Sequence, residues 1–157
     1  MAECSCPVIH DSDWDQREHR WAERYFLYLP MKYFFHVPLG APEKLRRLMD
    51  QVAARQYVPT RPLQIFFQDG LFQGRVLVGI EKPLAEPGTD VVCFREAYWL
   101  TRVHCGPYGT LAAVVRDLKK NLAQKGKSTS EVYFWHVTCP ACRNEQGGDK
   151  TVIWARI

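Results

Sequence analysis

The sequence predicts an α+β fold built from two β-α-β-β units. Three observations carry this. Apolar positions recur at an offset of 66 residues, a glycine–proline turn precedes each of two amphipathic stretches, and two strand-like runs follow each stretch. In the recurrence Leu45 falls on Leu111, Leu48 on Val114, Met49 on Val115 and Val52 on Leu118. A repeat at this spacing marks a duplicated structural unit.

Taken in order, the first unit opens with the aromatic strand 31–37 and turns at Gly40-Ala41-Pro42. Glycine permits the bend, and proline suits a first helical turn, where its missing N–H costs nothing. A helix over 42–56 follows, with Leu45, Leu48, Met49 and Val52 on one stripe. Strand 63–68, the Asp69-Gly70 hairpin signal and strand 75–80 complete the unit. Residues 82–90, with Pro83, Pro87 and Gly88, read as a linker. The second unit repeats the order: strand 97–103, the turn Gly106-Pro107 and a helix over 108–124 striped by Leu111, Val114, Val115, Leu118 and Leu122. Strand 131–137, a long polar loop and strand 151–157 close it.

Two such units make an antiparallel sheet with both long helices on one face, leaving the other face as a groove. The domain spans about 25–157, with repeat units near 25–81 and 90–157, and residues 1–24 form an extension. Within that extension Trp14 and Trp21, seven apart, point to a short helix laid against the body.

The chain of 157 residues is long enough for one domain with a real core, burying roughly two-thirds of its unfolded surface. Its 46% hydrophobic and 24% charged residues are those of a globular protein, and its 13% aromatic residues must cluster in a core or around a pocket. A net charge of +4 falls short of a nucleic-acid footprint, so no direct nucleic-acid partner is expected. The start lacks the basic and apolar regions of a signal peptide, and no run approaches the roughly 18 apolar residues of a membrane span. A cytoplasmic protein without a membrane partner is expected, monomeric or homodimeric. In a reducing compartment six cysteines read as free thiols or metal ligands before disulfides.

Alternation along strand 131–137 puts Glu131, Tyr133 and Trp135 on one face and Val132, Phe134 and His136 on the other. A carboxylate flanked by two rings suits a pocket, where a flat cation stacks on the rings and pairs with the acid. The plainer alternative is that Glu131 begins its strand in solvent while the rings pack. Further candidate wall residues are Trp99, Phe66, Phe67 and Trp154, each also a natural core residue. Cys139-Pro140-Ala141-Cys142 is half of a tetrahedral zinc site, and Cys4-Ser5-Cys6 supplies the other two thiolates if the N-terminus folds back. Zinc, a redox pair and structural free thiols all remain open. No cofactor is required. His104 and Cys105 are adjacent in a strand and point to opposite faces, which disfavours a Cys-His dyad.

The order of elements, Arg102-Val-His-Cys-Gly-Pro-Tyr108 opening the second helix, and Glu131-Val-Tyr133 on the following strand resemble the GyrI-like or effector-binding domain family over residues 25–157. The resemblance implies a cleft that takes a small-molecule ligand: a lipophilic, often cationic, aromatic compound. Multidrug-sensing regulators use such domains, but this chain has no room for their helix-turn-helix. The resemblance implies first a small-molecule-binding protein that sequesters or senses bulky aromatic compounds; the alternative it implies is hydrolysis of cyclopropane-bearing DNA-alkylating compounds, and a second alternative is protein interaction such as topoisomerase inhibition. For the hydrolase, Glu131 is the expected general base or charge stabiliser, with Tyr133 or Tyr108 as proton donor.

Overall fold

The computed structural model describes residues 6–139 and 141–157. The fold is α+β with a mostly antiparallel sheet. In order it has α1 (Asp11–Trp14), β1 (Arg17–Phe34), β2 (Val37–Pro38), α2 (Ala41–Ala54), β3 (Ile65–Gln68), β4 (Gln73–Ile80) and β5 (Val91–Cys105). A 3-10 turn (Tyr108–Thr110), α3 (Leu111–Gln124), β6 (Val132–His136) and β7 (Lys150–Arg156) complete it. The chain divides into two compact units, Arg20–Ala97 and Met1–His19 with Tyr98–Ile157.

In the Arg20–Ala97 unit, β1 pairs with β4 from Tyr25↔Ile80 to Lys32↔Gln73, and β3 pairs with the other edge of β4. Helix α2 starts at Gly40, whose φ of 67° is left-handed, with Pro42 in its first turn. It buries Leu48 and Val52 and packs on β4. Between β3 and β4 the chain doubles back so tightly at Gly70 that a Cβ there would lie 1.8 Å from the Gln73 carbonyl oxygen. The interior is a cluster of rings: Trp21 and Phe26 stack at 5.5 Å, and both meet Phe66 and Phe94 edge-on.

Two expectations are corrected here. The strand predicted over 31–37 ends at Phe34 and turns through Phe35 and His36, whose φ values of 45° and 69° are those of a tight hairpin turn. Histidine visits that region more often than most residues but phenylalanine does not, so the local sequence marks the turn only weakly. Trp14 and Trp21 do not share a helix. Trp14 ends the single turn α1, while Trp21 lies inside the 18-residue strand β1, which takes in residues 17–24.

In the other unit β7 runs between β6 and β5, paired with both. The 3-10 turn leads into α3, whose buried stripe is Leu111, Val115, Leu118 and Leu122. Ring contacts of Tyr108 with Phe134 and His136 put this turn on the face those two residues share. Trp14 meets Trp135 and Trp154 from the opposite face, at 5.5 and 5.7 Å. The β6–β7 layer is therefore covered on both sides.

Candidate functional site

The ladder of β6, β7 and β5 sets Tyr133 opposite Trp154 and Trp154 opposite Thr101. Residues directly opposite share a face, so Tyr133, Trp154 and Thr101 line up across three strands. Trp99 joins them, with ring centroids 5.5 Å from Tyr133 and 6.0 Å from Trp154, both edge-on. Trp135 lies on the same face of β6. Tyr133, Trp135, Trp99 and Trp154 are each no more than 2% exposed. Glu131 precedes β6 at the end of this wall. Its carboxylate accepts a hydrogen bond of 3.0 Å from Arg156 Nη1, and about a quarter of the side chain reaches solvent (27%).

The N-terminal segment lies over the wall. Trp14 stacks on His19 at 5.1 Å and edges onto Trp135 and Trp154. Polar contacts hold the segment to β5. The Thr101 hydroxyl donates to the Trp14 carbonyl at 2.5 Å and meets His19 Nε2 at 2.9 Å. Asp15 Oδ1 accepts the Val103 N–H at 3.0 Å. With its hydroxyl hydrogen used on Trp14, Thr101 accepts from a protonated Nε2, and burial, which lowers the His19 pKa, favours that neutral imidazole.

The structure thus brings together Glu131, Tyr133, Trp135, Trp99 and Trp154. Tyr108 is on the other face, against His136, and does not share a site with Tyr133. Phe66 and Phe67 belong to the Arg20–Ala97 unit, where Phe66 packs among Trp21 and Phe26.

On the helix-bearing face lies a cavity of about 120 Å³ lined by Gly106, Tyr108, His136, Thr138, Asp149, Lys150 and Thr151. Burial pushes the His136 imidazole down to about 4, against the pull of Asp149. Its Nδ1 lies 3.0 Å from Thr151 Oγ1, and its ring lies 5.2 Å from that of Tyr108. Gly106, at φ 152°, lets the chain pass close, since a Cβ there would be 3.0 Å from His104 Nε2. The cavity suits a few waters; benzene fills a cavity of roughly 150 Å³. Sequence reasoning gave His136 no role because alternation reports a side chain's face and not what closes over it.

A third constellation is sulfur. The thiols of Cys6, Cys139 and Cys142 all lie within 4.8 Å of one another, with 3.8 Å between those of Cys139 and Cys142. Cys4 falls outside the described residues. Backbone N–H groups of Cys142 and Ala141 pull the Cys139 thiol down to about 7, while burial and then its sulfur neighbours push Cys6 up to about 12. Such a set can hold a thiophilic metal ion.

Residues 1–157 match a family profile described as bacterial hydrolase. The chain belongs to this bacterial hydrolase family. Among curated proteins none matches in sequence. Solved structures share the fold of this bacterial hydrolase family member. The crystal structure of the EcmrR C-terminal domain has a TM-score of 0.65 at 11% identity, covering 91% of this chain and 96% of that one. EcmrR in a cryo-EM complex with DNA has a TM-score of 0.64 at 13% identity, with 88% of this chain and 55% of that longer one covered. A hydrolase from Listeria innocua has a TM-score of 0.58 at 11% identity, with 90% and 92% covered. Among the described residues no helix is long and apolar enough to cross a membrane.

Proposed function

We propose that this protein binds a bulky, lipophilic aromatic compound against the wall of Tyr133, Trp135, Trp99 and Trp154 and hydrolyses it with Glu131. The observation that carries the reading is a carboxylate, oriented by Arg156, at the end of a wall of four rings. Family membership favours hydrolysis over storage. In this reading Glu131 activates water or steadies developing positive charge on a strained electrophile, and Tyr133 donates a proton to the oxygen that gains charge. Trp14 covers the wall by its edge-on contacts with Trp135 and Trp154. A substrate ring replaces it, exchanging one edge-on contact for another, so the segment around Trp14 acts as a displaceable cover.

The test is incubation with a cyclopropane-bearing aromatic alkylator, followed by mass spectrometry for the product of water addition. Turnover by the native protein and its loss in Glu131→Gln support the reading. Turnover that survives the substitution overturns the role of Glu131. Binding of rhodamine-type cations with quenched tryptophan emission, without turnover of any such compound, reduces the reading to sequestration.

A further inference from the structure

We infer that Cys6, Cys139 and Cys142 hold one zinc ion, which clasps the N-terminal segment to the loop between β6 and β7. Three features carry this.

The first is distance. A tetrahedral ion with bonds of about 2.3 Å to sulfur sets its thiolates about 3.8 Å apart. The Cys139 and Cys142 sulfurs stand 3.8 Å apart, and Cys6 closes the triangle within 4.8 Å of both. A disulfide needs about 2.05 Å, and three converging thiols cannot all be satisfied by one disulfide. The second is the surroundings of the sulfurs. The Cys139 N–H donates to Cys142 Sγ at 3.3 Å, and Gln146 Nε2 approaches the same sulfur at 3.7 Å. Donors aimed at sulfur spread thiolate charge and orient the ligands, as the outer contacts of metal sites do. The third is the loop itself. Between β6 and β7 it coils through the Arg143 N–H to the Cys139 carbonyl and the Gln146 N–H to the Cys142 carbonyl. Beyond Val137, Cys142 is the one buried side chain among its described residues. Apolar burial therefore does little to fix this loop, and a metal staple supplies what the core does not.

Three thiolates leave a fourth position. That position is open to water or an exogenous ligand. The ligands span nearly the whole sequence, so the ion ties the N-terminus to a loop far along the chain. The clasped end leads into α1 and Trp14. Zinc therefore secures the segment that covers the ring wall. The metal site stands apart from the hydrolase reading, whereas its control of access to the wall rests on that reading.

The experiment needs no substrate. Protein purified under reducing conditions without chelator should carry about one zinc per chain by elemental analysis. Cobalt exchanged for zinc should show thiolate-to-metal charge transfer and the strong visible bands of tetrahedral geometry. Cys139→Ser with Cys142→Ser should abolish both. Cys6→Ser, which removes only a half-buried thiol, should lower zinc affinity at least about 10-fold while circular dichroism stays native. Hydrogen exchange at residues 7–19 should accelerate when zinc is stripped. Zinc below about 0.1 per chain, both as purified and after anaerobic reconstitution, overturns the site. A Cys139–Cys142 disulfide in the native protein does the same. Bound zinc whose removal leaves exchange at residues 7–19 unchanged overturns the clasp.

Discussion

In the Arg20–Ala97 unit four rings, Trp21, Phe26, Phe66 and Phe94, pack on one another, and the unit also buries aliphatic side chains such as Leu27, Leu48, Val76 and Leu77. In the unit that carries β6 and β7, the rings share their layers with polar groups. His19 and Thr101 sit beside Trp154 on one face, and His136 and Thr151 sit beside Tyr108 on the other. The units also differ at their edges. The Arg20–Ala97 unit exposes Phe34, Phe35 and Phe72, with Phe35 touching the other two, whereas the other unit gathers three thiols. Duplicated units thus keep the apolar stripes that make them fold, while the side chains around those stripes diverge.

The sharpest way to break this contrast is to remove a ring from each interior. Phe26→Ala and Trp154→Ala should each cost about 3–5 kcal/mol in urea unfolding, because each leaves a cavity in a close-packed layer. Only Trp154→Ala should also abolish dye binding. Equal loss of binding in both variants would show that binding depends on overall stability and not on the wall.

Next in size is the acid limb of the stability curve. His136 has a folded-state pKa near 4, below its unfolded value of about 6.5. The unfolded chain therefore takes up the proton first. The stability conferred by the neutral imidazole is complete above about pH 6.5 and is lost as pH falls toward 4, on the order of 3 kcal/mol at most. His136→Asn should flatten that window. An unchanged acid limb would place the relevant titration elsewhere, with His19, also lowered by burial, the first alternative.

Trp14→Ala removes a cover without touching either core. It should cost about 1–2 kcal/mol, chiefly in lost edge-on ring contacts and apolar burial. Binding of an aromatic cation should become tighter, since less of the wall must be uncovered. Weaker binding would instead make Trp14 part of the ligand's own contact surface. Smallest in stability is Glu131→Gln. Its partly exposed pair with Arg156 should be worth less than about 1 kcal/mol, while turnover falls by about 100-fold or more. Comparable loss of stability and turnover would mean that the carboxylate only anchors β6.

The repeated strands and helices were legible because each is written locally. The stripe Leu111, Val115, Leu118 and Leu122 and the turn Gly106-Pro107 need nothing beyond a few neighbours to be recognised. The face of Glu131, Tyr133 and Trp135 was legible for the same reason, since alternation follows from strand geometry. The hairpin at Phe35 and His36 was not. Its left-handed backbone is held by strand pairing and by the 2.7 Å contact of His36 with Asp69, neither of which is encoded at the turn. The placement of Tyr108 away from Tyr133 and the burial of His136 escaped as well, because a residue's face does not reveal which element packs over it.

By itself the sequence determined the α+β class, the duplicated units and the chemical types available: a strand acid, a surplus of rings and a Cys-x-x-Cys loop. Tertiary structure alone decided that Trp14 lies on the ring wall, that His136 lies beside Tyr108 and Asp149 in one cavity, and that Cys6 meets Cys139 and Cys142. The division has a physical cause. Periodicity reflects forces acting within one turn or one strand pair, whereas these juxtapositions come from closing loops tens of residues long, whose entropic cost grows only slowly with length and leaves no mark on the residues in between.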